Sequence, residues 1–137
     1  MNATPTRKRR VFSGIQPSGV LHIGNYLGAI RQWLADQQSK ESFFCIVDLH
    51  AITMPQDPEA LRYKTLDVAA MYLAAGIDPQ FSAIFVQSHV SAHAECAWIL
   101  NCVTPVGWLE RMTQYKVKAS QQASVSAGLL DYPVLQA

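Results

Sequence analysis

The chain has 137 residues, a net charge of +1, half of its residues hydrophobic and only 15 % charged, below the ~25 % of an average globular protein. This balance allows one domain with a real core, excludes steering of nucleic acid by the overall charge, and suggests a surface that is partly covered. No apolar run approaches the ~20 residues of a membrane-spanning helix, and the first six residues hold no apolar stretch, so neither a membrane anchor nor a signal peptide is expected.

Arg7-Lys8-Arg9-Arg10 is the only run of charge. It reads as a solvated basic tail, residues 1–10, ahead of a single domain over residues 11–137. Arg10 to Ser13 is β-prone, and Gly14 to Gly19 has turn chemistry. Val20, Ile23, Leu27, Ile30 and Leu34 recur at helical spacing, which predicts a helix from Val20 to about Gln37. Ser42 to Asp48 holds Phe43-Phe44-Cys45-Ile46-Val47, an apolar run suited to a strand buried on both faces. Asp57-Pro58-Glu59 opens the next helix with a cap and a first-turn proline. That helix is expected to turn Leu61, Leu66, Ala69 and Leu73 inward and to stop at Gly76. Ala83 to Gln87 is a third strand. Two helical segments follow, about His93 to Val103 and Val106 to Tyr115, split at Thr104-Pro105. Lys116 to Ser126 is polar, small and expected to be mobile, and Asp131-Tyr132-Pro133 reads as a further helix start. Cys45, Cys96 and Cys102 lack paired spacing, which points to reduced thiols in a cytoplasmic protein.

Strand, helix, strand, helix, strand is the pattern of a parallel α/β sheet, whose ligands bind beyond the carboxyl ends of the strands. Here those ends are Ser13-Gly14-Ile15-Gln16, Asp48-Leu49-His50 and Gln87-Ser88-His89. The glycine-rich turn after the first strand is a candidate anion site. It matches neither the dinucleotide fingerprint nor a P-loop. His22 sits where an anion would approach, Gly24 could let a flat ring lie on the backbone, and Asn25 can both donate and accept. Spacing alone leaves this reading level with a plainer one, in which Gly24 and Gly28 only allow another element to pack closely. His89 and His93 stand four apart without a carboxylate-histidine motif, so a metal site is not expected. Trp33, Trp98 and Trp108 read as core or interface aromatics.

Pro17 to Asn25, Pro-Ser-Gly-Val-Leu-His-Ile-Gly-Asn, resembles the HIGH signature of the class I aminoacyl-tRNA synthetases, with asparagine in place of the second histidine. In the setting Gly14-Ile15-Gln16-Pro17-Ser18-Gly19 that variant resembles the tryptophanyl-tRNA synthetases. Four further blocks agree in order: Phe44–Asp48 with His50–Thr53, Leu73–Pro79, Leu109–Gln114, and Ser126–Leu130 with Tyr132-Pro133. The resemblance implies a Rossmann-like parallel sheet with flanking helices. It also implies activation of L-tryptophan by ATP with Mg²⁺, transfer to tRNA(Trp), and a homodimer built on the apolar segment from His93 to Gln114. Residue by residue, it implies that Gln16, Pro17 and Ser18 line the ATP site. His22 would meet the phosphates, Gly24 would lie against the adenosine, and Asn25 would bond nearby; Gln16, His22 and Asn25 would carry catalysis. Phe12, Gly14, Val47 and His50 would wall the tryptophan pocket, completed by Gln114, Tyr132 and Gln136.

The family's second signature, a lysine loop, and its anticodon-reading domain are not in this sequence. The resemblance therefore covers the first part of a catalytic domain, a truncated Rossmann-like unit that alone is not expected to be fully active. Two other readings stand beside it. A nucleotidyltransferase of the same broad signature is disfavoured by Asn25. A non-catalytic synthetase-like module that binds nucleotide or a partner is the second.

Overall fold

Three short strands, β1 (Arg10–Ile15), β2 (Glu41–Ile46) and β3 (Ser82–Val86), pair in parallel in chain order. The computed structural model describes residues 8–121 and 123–137; Arg7 of the basic run lies outside them. The register sets Gly14 beside Cys45, and Ser42 beside Ser82. β2 is the middle strand, and Phe44, Cys45 and Ile46 are all buried, as the apolar run predicts. β1 starts inside the basic run, where Arg10 pairs with Glu41 at 2.8 Å. β2 ends at Ile46 because Asp48 opens a short helix, α3 (Asp48–Ala51).

Right-handed crossovers that advance in one direction place their helices on one face of a sheet. The first crossover holds α1 (Ile23–Asn25), a π-turn (Tyr26–Ile30) and α2 (Arg31–Asp36). The second holds α4 (Pro58–Ala74). Between these helices and the sheet lies the core of Ile30, Trp33, Phe44, Ile46, Val68, Tyr72 and Ile77. Trp33 stacks on Phe44 with 4.6 Å between ring centres and forms a T-shaped pair with Tyr72 at 5.4 Å. The Tyr72 hydroxyl donates to the Cys45 carbonyl at 3.3 Å.

The first crossover corrects the expected start of its helix, and the second corrects the expected inward face. The first helix begins at Ile23, and Val20, Ile23 and Leu27 are exposed while Ile30 is buried. A π-turn carries more residues per turn than an α-helix, so it rotates the residues before it out of phase with those after it. In α4, Val68 and Tyr72 are buried, whereas Leu66 and Leu73 are exposed. That helix is apolar on several faces, so spacing alone does not pick the buried one. Its ends follow the sequence. Asp57 Oδ1 accepts from the Ala60 N–H at 2.8 Å. Gly76, at φ +104°, closes the other end: its N–H donates to the Leu73 carbonyl and that of Ile77 to the Tyr72 carbonyl, a Schellman cap.

Beyond β3 lie a 3₁₀ turn (Gln87–His89), α5 (Ala92–Asn101), α6 (Val106–Leu109), α7 (Thr113–Ala119) and α8 (Ala127–Gln136). The helix expected over Val106–Tyr115 is thus broken after Leu109, and the polar stretch from Lys116 is helical as far as Ala119. α8 starts four residues before Asp131. Its cap is Ser126, which accepts from the Leu129 N–H at 3.4 Å, and Pro133 sits inside the helix. Trp33 belongs to the core, while Trp98 and Trp108 are 72 % and 61 % exposed.

Candidate functional site

The carboxyl ends of the three strands meet around one cavity. At the end of β1, a Cβ on Gly14 would collide with the Cys45 carbonyl oxygen and come within 3.1 Å of the Val47 side chain. Only glycine lets the two chains lie so close there. Pro17 is buried and anchors the loop that follows. Gly19 takes φ +90°, a conformation costly for any residue with a Cβ. The loop then enters the first helix through a reciprocal cap. His22 Nδ1 accepts from the Gly24 N–H at 3.1 Å, and Asn25 Oδ1 accepts from the His22 N–H at 3.0 Å. A Cβ on Gly24 would stand 2.8 Å from the His22 ring, and one on Gly28 would meet nothing. Among the described residues, then, neither glycine admits a neighbouring element; Gly24 makes room for the His22 imidazole.

The ends of β2 and β3 are tied together by side chains. Asp48 Oδ1 accepts from the backbone N–H of Leu49 and of Ser88, each at 3.0 Å. His50 Nδ1 lies 3.1 Å from Gln87 Oε1. Both residues are buried, and His50 Nε2 has no partner among the described residues. Burial, reinforced by the nearby Asp48 carboxylate, pushes the Cys45 thiol up to about 12. Burial likewise raises the Tyr72 hydroxyl well above its ordinary range. Both stay neutral at physiological pH.

The cavity, of about 600 Å³, is lined by Phe12, Gly14, Gln16, Val47, His50 and Gln136 from the expected set, together with Gln87 and His93. Tyr132 lines a separate cavity of about 420 Å³ between α3, α5 and α8, its ring lying edge-on to that of His50 with 6.4 Å between the ring centres. Gln114 is exposed at the start of α7 and lines neither. Pro17, Ser18, His22, Gly24 and Asn25 form the loop and cap beside the cavity, and Ser18 donates to Gln16 Oε1 at 3.3 Å. Gln87 was within reach of the sequence, as the last residue of the expected third strand; it opens the turn just beyond β3, at the sheet's ligand-facing end. His93 is brought in by stacking at 5.9 Å on Phe85, which no local spacing announces. No group of three or more His, Cys, Asp or Glu side chains is placed to hold a metal among the described residues, and no described helix is long and apolar enough to cross a membrane.

The family model for class I tRNA synthetases of the tryptophan and tyrosine group (W and Y) matches residues 4–137. The chain belongs to this family. It is 64 % identical over 131 residues to the tryptophan–tRNA ligase of a Synechocystis species, covering 95 % of this chain and 39 % of that protein. The chain therefore spans about two fifths of the length of such relatives. Tryptophanyl-tRNA synthetase from Campylobacter jejuni, solved with ADP and tryptophan, superposes with a TM-score of 0.87 at 48 % identity, over 93 % of this chain and 40 % of that one. The Mycoplasma pneumoniae tryptophanyl-tRNA synthetase gives a TM-score of 0.91 at 35 % identity, over 94 % and 39 %. The parallel sheet with flanking helices is thus the Rossmann-like unit of class I synthetases, present here in part.

Proposed function

We propose that this chain forms part of the catalytic site of a tryptophan–tRNA ligase acting in the cytoplasm. L-Tryptophan occupies the 600 Å³ cavity, walled by Phe12, Gly14, Val47 and His50, with Gln136, Tyr132 and Gln114 completing it in the whole protein. ATP lies along Gln16, Pro17, Ser18, Gly24 and Asn25. A tryptophan carboxylate oxygen attacks the α-phosphorus, pyrophosphate leaves, and the tryptophanyl group then passes to tRNA(Trp). Such chemistry asks the protein mainly for positioning and charge stabilisation. His22 is suited to both. Its Nδ1 accepts from Gly24, so the neutral ring carries its proton on exposed Nε2 and can donate it to phosphate oxygen. Asn25 has Oδ1 committed to the cap, which leaves its NH₂ to donate to a ligand. Mg²⁺ would travel with the phosphates of ATP. A second copy of the protein covers the exposed Trp98, Ile99, Val103, Val106 and Trp108, giving a homodimer.

The observation that carries this reading is the convergence of Phe12, Gly14, Gln16, Val47, His50 and Gln136 on one cavity in a chain so similar to a tryptophan–tRNA ligase. The test is pyrophosphate exchange by the intact protein with each of the twenty amino acids. Exchange with tryptophan alone is expected, and His22→Ala should slow it about tenfold, or ~1.4 kcal/mol, with the tryptophan KM unchanged. Nucleotide binding without exchange would point instead to a non-catalytic module.

A further inference from the structure

His50 and Gln87 meet side chain to side chain across 37 residues of sequence, and each is at least nine-tenths buried, at 5 % and 2 % exposure. Gln87 is held in place on both sides. Its own carbonyl accepts from the Val90 N–H at 3.1 Å, and the next residue, Ser88, is bound through its N–H to Asp48. His50 is held as well, since its carbonyl accepts from the Thr53 hydroxyl at 2.8 Å. The Gln87 amide oxygen faces His50 Nδ1. An amide oxygen only accepts, so Nδ1 carries the ring proton and Nε2 keeps a lone pair. That lone pair is shielded from water and has no partner among the described residues. A buried acceptor left in this state needs a donor from somewhere, and both residues line the same cavity.

We propose that Gln87 is a positioning residue of the amino-acid pocket. By accepting from His50 Nδ1–H it holds the imidazole in the tautomer whose Nε2 accepts a hydrogen bond from an N–H of the bound amino acid. This rests on the reading of the cavity as the tryptophan site. The ligand chemistry is an N–H donor, which tryptophan offers at both the α-ammonium and the indole.

The experiment compares the intact protein with Gln87→Met, which keeps the shape but cannot accept in the same way, and Gln87→Glu, which can. Nitrogen-15 NMR of the His50 ring should find the proton on Nδ1 in the unmodified protein and in Gln87→Glu, and a mixture in Gln87→Met. In exchange assays Gln87→Met should raise the tryptophan KM about tenfold with kcat and the ATP KM little changed, and Gln87→Glu should recover most of that loss. A role limited to packing would be satisfied by Met, leaving the tryptophan KM unchanged. With N1-methyltryptophan as the substrate, loss of the Gln87→Met penalty assigns the bond to the indole N–H, and its persistence assigns it to the ammonium. A His50 proton on Nε2 in the unmodified protein, or an unchanged tryptophan KM in Gln87→Met, overturns the proposal. Should Gln87→Met fail to fold, the tautomer of the unmodified protein and the kinetics of Gln87→Glu still decide it. Absence of tryptophan-dependent exchange in the unmodified protein would instead remove the underlying reading, and the tautomer measurement stands apart from that outcome.

Discussion

The two halves of the site are built by opposite means. The wall made by β2 and β3 is buried and tied by side-chain bonds between residues 37 and 40 apart in sequence, His50 to Gln87 and Asp48 to Ser88. The loop and cap from Gln16 to Asn25 are largely exposed, and the side-chain bonds of Gln16, Ser18, His22 and Asn25 reach no further than three residues. A wall fixed by the tertiary fold is rigid before a ligand arrives. A cap fixed by its own neighbours can adjust without disturbing the core. In the functional reading, the amino acid meets the preorganised half and the triphosphate meets the adjustable one.

Substitutions at matched positions test that contrast. The largest effect is expected at Gly14. An added Cβ meets the Cys45 carbonyl, which cannot swing aside, so Gly14→Ala should destabilise the fold by about 3 kcal/mol, at the top of the usual range for overpacking. Denaturant unfolding would measure it, and a stability equal to that of the unmodified protein would mean the wall is soft. The next effect is read in the pH dependence. The Cys45 thiol is raised from 9.0 to about 12 by folding. Above pH 9 the unfolded chain therefore loses a proton that the folded one keeps. Its stabilising contribution is whole below that pH and falls as pH rises toward 12, with a slope of up to about 1.4 kcal/mol per pH unit. Cys45→Ala should flatten the slope between pH 9 and 11 in thermal melts, and an equal slope in both proteins would place the ionisation elsewhere. The smallest change in stability is expected at Gly24. Gly24→Ala displaces the exposed His22 ring and loses its cap bond, at about 1 kcal/mol, while the helix gains about as much in propensity. The melting temperature should hardly move while ATP affinity falls about tenfold. A lower melting temperature with ATP affinity intact would restore the packing explanation of this glycine.

Much of the frame could be read from the sequence because local chemistry decides it. Asp57-Pro58 starts α4, Gly76 stops it, and the apolar run from Phe43 marks a strand with neighbours on both sides. What could not be read depends on distant partners or on phase. Val68 and Tyr72 turn inward because Trp33 and the Cys45 carbonyl wait for Tyr72 there, and an apolar helix gives no internal sign of that choice. The Ser126 cap is followed by Gly128, which hides the start of α8, and Pro133 resembles a start although it lies well inside. In the site, the ends of the strands were visible as three short polar segments. That Gln87 of the third would grip His50 of the second was not, because the two meet only once the sheet has formed.

The π-turn at Tyr26–Ile30 has a consequence for how this part of the chain can vary. One extra residue in α geometry would turn everything before it by about 100° relative to everything after it, and the wider π-turn takes up most of that rotation. Here the part before carries His22 and Asn25, while Ile30 at the end of the turn and Trp33 after it are held fast by the core. Gly28, with open space where its side chain would be, could be deleted without leaving a hole. Tightening of the turn to α geometry would then offset the loss, because four residues in α geometry turn through nearly the same angle as five in the wider π geometry, and the cap should keep close to its present direction. The π-turn thus lets the chain between cap and core differ in length by one residue while His22 and Asn25 keep facing the loop.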